Sequence, residues 1–578
     1  GQTHIIVFGH NHDASTKSRR PNGNSYAYHT VTDTWVKLDD VPGGVMVDAA
    51  TLWNDSLVVQ GLEARSETTH SSVFFQAHVV DPPRHFYTLD YIAVIIYLVG
   101  MVLMGVYFAG RTKSTAEFFL AGGRIPWWLA GIAIRATQIS SIGLMAMPAK
   151  AYATNWVYLL KILTIPLVTP LVIYFFLPFY CHLKVTTAYE FLEKRFNVSA
   201  RLFGSVAFVL MHCGRVAIVM FLPALALSAV TGIDVYICIL TAGIICTLYT
   251  VLGGIEAVMW TDLVQEIILV SGPIACVVIA VMGSEGGLAG FLTTAHVAGK
   301  FHMFDWGWDA TATVVWVVLF GGCFQNLGTY TSDQSVVQRY LSTRDKKQAA
   351  RAIWLNAIFV VPWGLLVFTL GAALFTFYRS HPELVEIGAK TEEVLPLFMA
   401  YQLPPGVTGL VIAALFAATM STVDSSIHSM STTVVNDLYG HLKPESTDQH
   451  RLMLARLLTV LLGVFATGTA LLMATYDIKS SWDVFIALIG LVGSGLAGLF
   501  ALGIFTRRAH GAGALIGVAA SVPVLLFVQN FTTIHFFLYT VVGFVTCFVV
   551  GYVTSLLIPV APRDLAGLTI YTREGHDK

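Results

Sequence analysis

Ser421, Thr422, Asp424 and Ser425 lie together on one apolar stretch, 406–437. Their side chains suit a single task, which is to surround a hard cation with oxygen. Offsets of three and four put Ser421, Asp424 and Ser425 on one helix face, with the Thr422 hydroxyl at its edge. A second source of oxygen is RATQISSIG at 135–143, a polar interruption in another apolar stretch. Hydrocarbon cannot satisfy the backbone groups that a broken helix frees, so such a break persists only where it lines a cavity or holds an ion. Carbonyls released between Ala136 and Ile139, together with the hydroxyls from Ser421 onward, would make an oxygen cage for a hard cation. Asp262 and Asp424 are carboxylates inside apolar stretches, and each needs a cation or a basic partner there. Ion ligation and salt bridging to membrane cations are both open for them.

Four cations also fall within apolar stretches: Arg135, Lys150, Lys161 and Arg215. Buried positive charge marks either an anionic solute or a structural pair. Asp262, Glu266 and Asp424 are available as counter-charges, so Arg135 and Lys161 are balanced between the two.

The elements that must position these groups are membrane helices. Between Phe86 and Ile558 the chain holds about thirteen apolar stretches near the ~20 residues that cross a ~30 Å hydrocarbon layer. Of its 578 residues 55% are hydrophobic and only 12% charged, too few charges to solvate a globular surface of that size. A net charge of -1 gives no reason to expect a nucleic-acid partner. Lys and Arg concentrate in alternate connections, among them Arg111, Lys113, the run from Arg339 to Arg351, and Arg507/Arg508. By the positive-inside rule that side is cytoplasmic. An odd number of spans then places residues 1–85 outside and the tail, 563–578, in the cytoplasm, with 86–562 as the membrane domain. Polar breaks are expected in the second span, at 135–143, and in the seventh, at GGCFQN, 321–326. Two breaks five helices apart are the mark of an inverted-repeat transporter. The seven cysteines lie in or beside spans without metal-ligand spacing and read as small packing residues.

Residues 1–85 read as six short strands separated by Gly, Asn, Asp and Pro turns. The order IIVFG, YAYHTVTDTWVKL, SLVVQG resembles a kelch repeat, and since one or two blades cannot bury both faces, further blades are expected upstream. An interaction or lid domain and a sugar mutarotase propeller are the two roles this implies. Pro82 and Pro83 mark the boundary to the membrane domain.

GGRIPWWLAGIAIRATQISSI, MPAKAYATNW, TTAYEFLEKRFNVSARLF, MHCGRVAI, GGIEAVMWTDLVQ, SVVQRY and FAATMSTVDSSI together resemble the sodium/solute symporter family, and within it the sialic acid symporters. The resemblance implies an all-α leucine-transporter-type core of two five-helix inverted repeats, with one helix before and two after. It implies a principal sodium site made by the carbonyls of Ala136, Ile139 and Ala418 and the hydroxyls of Ser421 and Thr422. It also implies a second sodium site from Asp262, Ser421, Asp424 and Ser425, where Asp424 replaces a hydroxyl. One or two sodium ions are therefore expected, driving uptake of an acidic sugar or related organic anion by a monomer embedded in lipid. Substrate contacts are expected from Gln138, Ser140, Ser141, Tyr158, Arg215 and Asn326, with Arg135 and Lys161 as additional positive charge. Ser140, Arg215 and Asn326 are retained from the sialic acid pattern. Gln138 and Gly143 replace Thr, Ile162 replaces Gln, Tyr158 replaces Phe, and Gly322 replaces Phe. A non-transporting receptor of the same fold and a membrane-tethered mutarotase are the competing readings.

Overall fold

The computed structural model describes residues 4–13, 18–39, 45–53, 56–64, 70–78, 86–385, 390–475, 493–558 and 564–572. Among these, nine helices are individually long and apolar enough to cross a membrane, and a tenth crossing comes from the bent pair Trp127–Gln138 and Ser141–Ala153. The helix Val235–Gly283 has 49 residues, which at 1.5 Å per residue would be about 74 Å if straight, far more than one bilayer crossing. Gly254 divides it, with φ 59° and ψ -158°. A Cβ there would stand 3.0 Å from the Phe118 carbonyl oxygen and 3.2 Å from its Cα, so both the dihedrals and the space require glycine. The expected fifth and sixth spans are thus the two limbs of one bent element. Gly254→Val is expected to lower the melting temperature of the purified protein by several degrees in a thermal-unfolding assay, because strain and overpacking add.

The expected eleventh span, 483–505, is seen as Ser494–Phe505 capped by Gly493, with 483–492 lying outside the described residues. The seventh span corrects the sequence reading. Val315–Ser332 runs through GGCFQN as continuous helix. The glycines there serve close packing: a Cβ at Gly321 would meet the Phe537 carbonyl oxygen at 2.5 Å, and one at Gly322 the Thr164 hydroxyl at 2.9 Å. The break falls instead at Asp333, with φ -85° and ψ 108°, whose carboxylate accepts from the Ser335 amide and starts the short helix Gln334–Leu341.

The hydroxyl-rich helix Val407–Thr433 sits at the centre of the bundle, buried at every residue from Val411 to Thr433. It packs against Val235–Gly283 and Val198–Thr231. Its N-terminus is tied to the first span by Asp90, which accepts from the Gly406 amide at 2.8 Å and the Gly409 amide at 2.7 Å through one oxygen. The other oxygen takes the Tyr87 amide at 2.9 Å. A carboxylate facing free helix N-terminal amides is favourable in charge as well as in hydrogen bonding.

Outside the helices, the six expected strands appear as two three-stranded antiparallel sheets, within 4–38 and 45–78. A propeller blade has four strands, and neither sheet has a fourth among the described residues, so the kelch reading finds no support in them. The linker with Pro82 and Pro83 lies outside the described residues. The first sheet meets the membrane domain where the His29 and Tyr152 rings stand 6.4 Å apart and where Thr34–Leu38 approaches Pro382–Leu384.

Candidate functional site

The second span breaks as its polar sequence requires. Its two halves meet at 65°, with Ile139 (φ -87°, ψ 109°) and Ser140 (φ -98°, ψ 158°) in extended conformation. Carbonyls at the end of the first half face the centre of the hydroxyl-rich helix. Ser421 Oγ lies 3.2 Å from the Ala136 carbonyl oxygen and 3.4 Å from that of Ala418. Thr422 Oγ1 lies 3.4 Å from the Ile139 carbonyl and 3.2 Å from that of Ala418. All five residues of the expected principal site therefore converge.

The spacing is informative. An O–H···O hydrogen bond is usually about 2.7 to 2.8 Å long. Hydroxyl contacts elsewhere on this helix include values from 2.7 Å, Ser426 to the Thr422 carbonyl, to 3.4 Å, Thr408 to the Leu403 carbonyl. The four contacts at Ser421 and Thr422 fall at the long end of that range, so the protein holds these hydroxyls only weakly and leaves their oxygens able to turn to a cation.

The expected second cluster is built differently. Asp262 pairs with Arg339 at 3.1 Å, both side chains fully buried. The same guanidinium reaches Ser425 Oγ and, through its other nitrogen, the Ser335 carbonyl at 2.6 Å. Asp424 accepts from Tyr249 at 2.6 Å and from Ser425 at 3.0 Å. A guanidinium thus stands between Asp262 and Ser425, where the sequence reading placed a second sodium ion. The residues are brought together, but around an internal cation. The sequence alone reads Arg339 as part of the basic cytoplasmic run; Asp262's need for a counter-charge and the apolar neighbours in SVVQRY are the signals that point to it.

Asp437, farther along the same element, is held by Arg201 at 2.6 Å, Thr187 at 2.7 Å and Ser205 at 2.9 Å. Asp437→Asn is expected to cost about 3 kcal/mol of stability, since a buried ion pair is broken, while leaving the sodium concentration for half-maximal uptake unchanged; thermal unfolding and uptake measured on the same preparation check both.

Beside the break lies a cavity of about 220 Å³, with Gln138, Ser140, Lys161, Arg215, Asn326 and Asp333 among its polar walls. Ser140 caps the second half-helix there, and a helix N-terminus favours an anion. Asn326 donates to Thr164 at 2.8 Å. Gln138 Oε1 accepts from Tyr330 at 3.3 Å. Arg215 is engaged by Asp333 at 3.6 Å and by the Thr137 carbonyl at 3.3 Å, and His212 approaches the other Asp333 oxygen at 3.3 Å. Asp333 was not foreseen, because its position depends on the displaced break.

Three expected substrate contacts do not line this cavity. Arg135 is turned to Glu266 and to the face of Trp363, 5.2 Å away, and is a structural pair. Ser141 is fully buried and takes a hydrogen bond from Thr419 at 3.0 Å, because the half-helix turn points it away from Ser140. Tyr158 packs on Phe537 with ring centroids 5.0 Å apart.

Residues 118–520 match the profile of the sodium:solute symporter family. The chain belongs to that family. The symporter is 38% identical over 457 residues to the sodium/sialic acid symporter SiaT of Proteus mirabilis, covering 79% of this chain and 92% of that one. It is 39% identical over 463 residues to the sodium/sialic acid symporter NanT of Aliivibrio fischeri, covering 80% and 91%. Among solved structures, the substrate-bound outward-open state of a Na+-coupled sialic acid symporter superposes with a TM-score of 0.79 at 36% identity, covering 83% of this chain and all of that one. The symporter is accordingly a polytopic membrane protein of leucine-transporter type, as its motifs led one to expect.

Proposed function

We propose that this symporter imports sialic acid or a closely similar acidic sugar, driven by sodium held by Ala136, Ile139, Ala418, Ser421 and Thr422. The observation that carries the reading is the convergence of five oxygens, the carbonyls of Ala136 and Ile139 from the broken span and the Ala418 carbonyl with the Ser421 and Thr422 hydroxyls from the hydroxyl-rich helix. The relatives named for sialic acid transport support the substrate class. Gln138, Ser140, Arg215 and Asn326 supply the polar contacts.

The cycle follows from where the ion sits. A cation between the two elements draws carbonyls of the break and hydroxyls of Ser421 and Thr422 onto one centre, which fixes the angle at which Ser140 meets the cavity. Substrate then binds a preorganised wall, so each ligand raises the affinity of the other. One positive charge moving down 100 mV contributes roughly 2.3 kcal/mol to uptake, before any concentration gradient. The N-terminal sheets lie outside in this reading, and the chain's C-terminal tail lies in the cytoplasm.

Uptake of N-acetylneuraminate into proteoliposomes tests it. An inward sodium gradient is expected to produce accumulation that collapses when sodium is replaced by choline. Equal uptake in choline would remove sodium coupling, and no uptake of any acidic sugar would remove the substrate class.

A further inference from the structure

Lys161 differs from the buried arginines around it. Arg135 faces Glu266, Arg201 faces Asp437, Arg215 faces Asp333 and Arg339 faces Asp262. Lys161 lines the cavity, half-buried, and its ammonium has no hydrogen bond or ion pair among the described residues. Its nearest favourable contacts are the rings of Phe537 and Tyr158, with centroids 5.7 and 6.0 Å from Nζ. Those distances lie at the outer limit of a cation–π interaction, worth about 0.5 to 2 kcal/mol. An ammonium in an apolar setting costs more than that unless it is paired. The cavity thus holds one cation already neutralised by a carboxylate and one without a counter-charge.

The remaining lining sharpens the contrast. Gln138 Nε2, Arg215 Nε and Gln325 Oε1 are buried without hydrogen-bond partners among the described residues. They are neutral donors and an acceptor, or in Arg215's case part of a charge already balanced, and they suit the hydroxyl and amide groups of a sugar. None can balance an ammonium. Lys161 stands one turn before Thr164, whose hydroxyl accepts from the lining residue Asn326, and beside the apolar lining residues Ile162 and Ile165.

We propose that Lys161 is the charge-selecting residue of the transport cavity: its ammonium pairs with the carboxylate of the substrate, while Arg215, held by Asp333, serves the uncharged part. The proposal rests on the acidic-sugar reading above and names the residue that makes the cavity prefer an acid. It also separates this chain from one that would recognise a carboxylate only through hydroxyls and helix N-terminal amides.

The test uses the full chain in proteoliposomes, with N-acetylneuraminate and its neutral methyl ester as paired probes. The unaltered protein is expected to prefer the acid by about 30-fold in uptake KM or competition, the size of one good charge-assisted contact. Lys161→Gln and Lys161→Met are each expected to reduce that preference to about 3-fold or less, with Lys161→Arg restoring most of it. Their melting temperatures are expected to be equal to or higher than that of the unaltered protein, because an uncompensated charge has been removed; the stabilisation by sodium alone should remain. Retention of the acid preference in both neutral variants would overturn the proposal and leave the proposed function standing. A melting temperature lowered by several degrees in both would identify Lys161 as a structural partner and would likewise overturn it. Absence of sodium-dependent uptake of either probe by the unaltered protein would remove the acidic-sugar reading and this assignment with it.

Discussion

Replacing Ser421 with Ala and Thr422 with Val together is expected to raise the sodium concentration for half-maximal uptake by about 100-fold, with little change in melting temperature. Each change removes one hydroxyl oxygen from the group formed with the Ala136, Ile139 and Ala418 carbonyls. Two lost ligands at about 1.4 kcal/mol each give that factor. Stability should hold because the lost hydroxyls make only long contacts of 3.2 to 3.4 Å in the protein itself, and Val fills the space of Thr. Ser426→Ala is the matched control. Its hydroxyl is spent on the Thr422 carbonyl at 2.7 Å within the helix, so its removal should shift sodium dependence by about 3-fold at most. Substrate affinity measured in saturating sodium should be nearly restored in the double variant, since binding of the two is linked. An unchanged sodium requirement in the double variant would place the ion elsewhere.

The second large effect is expected at Arg339 and Asp262. Arg339→Gln leaves Asp262 fully buried without its 3.1 Å partner, a situation that costs about 3 to 5 kcal/mol. Asp262→Asn strands the guanidinium in the same way, although its contacts to Ser425 and the Ser335 carbonyl remain. Both single variants should show markedly lower melting temperatures and yields. The double variant should be more stable than the sum of the two losses predicts, by roughly 2 kcal/mol, because no uncompensated charge is left. Denaturation of all four proteins in one detergent gives the coupling directly. Measured beside the Ser421/Thr422 pair, the same variants separate two roles. Sodium dependence that stays normal in the double variant assigns Asp262 to the ion pair, whereas a lost sodium requirement assigns it to an ion.

Much of the architecture was legible because a bilayer imposes its thickness on the chain. Apolar stretches of fixed length between charged connections can be located without knowing their neighbours. The break at 135–143 was legible for a related reason: so many polar groups within a span, without a polar partner in the same helix, can be tolerated only where the backbone opens. The three- and four-residue offsets from Ser421 to Ser425 likewise follow from helix geometry alone.

Where partners come from different helices, local pattern could not decide. GGCFQN looked like a break, yet Gly321 and Gly322 are small because Phe537 and Thr164 press against them; the chain opens at Asp333 instead. Arg339 read as one of a run of loop cations, yet a short helix after that opening carries it into the bundle to meet Asp262. Arg135 and Lys161 are two cations that composition and spacing treat alike. Only packing gave Glu266 to one and left the other facing the cavity. The residues' own chemistry and the period of the helix thus established which oxygens could gather around a cation. Whether a buried charge is spent on the protein or kept for a ligand depended on which surfaces distant helices bring into contact, a property no segment of the chain carries alone.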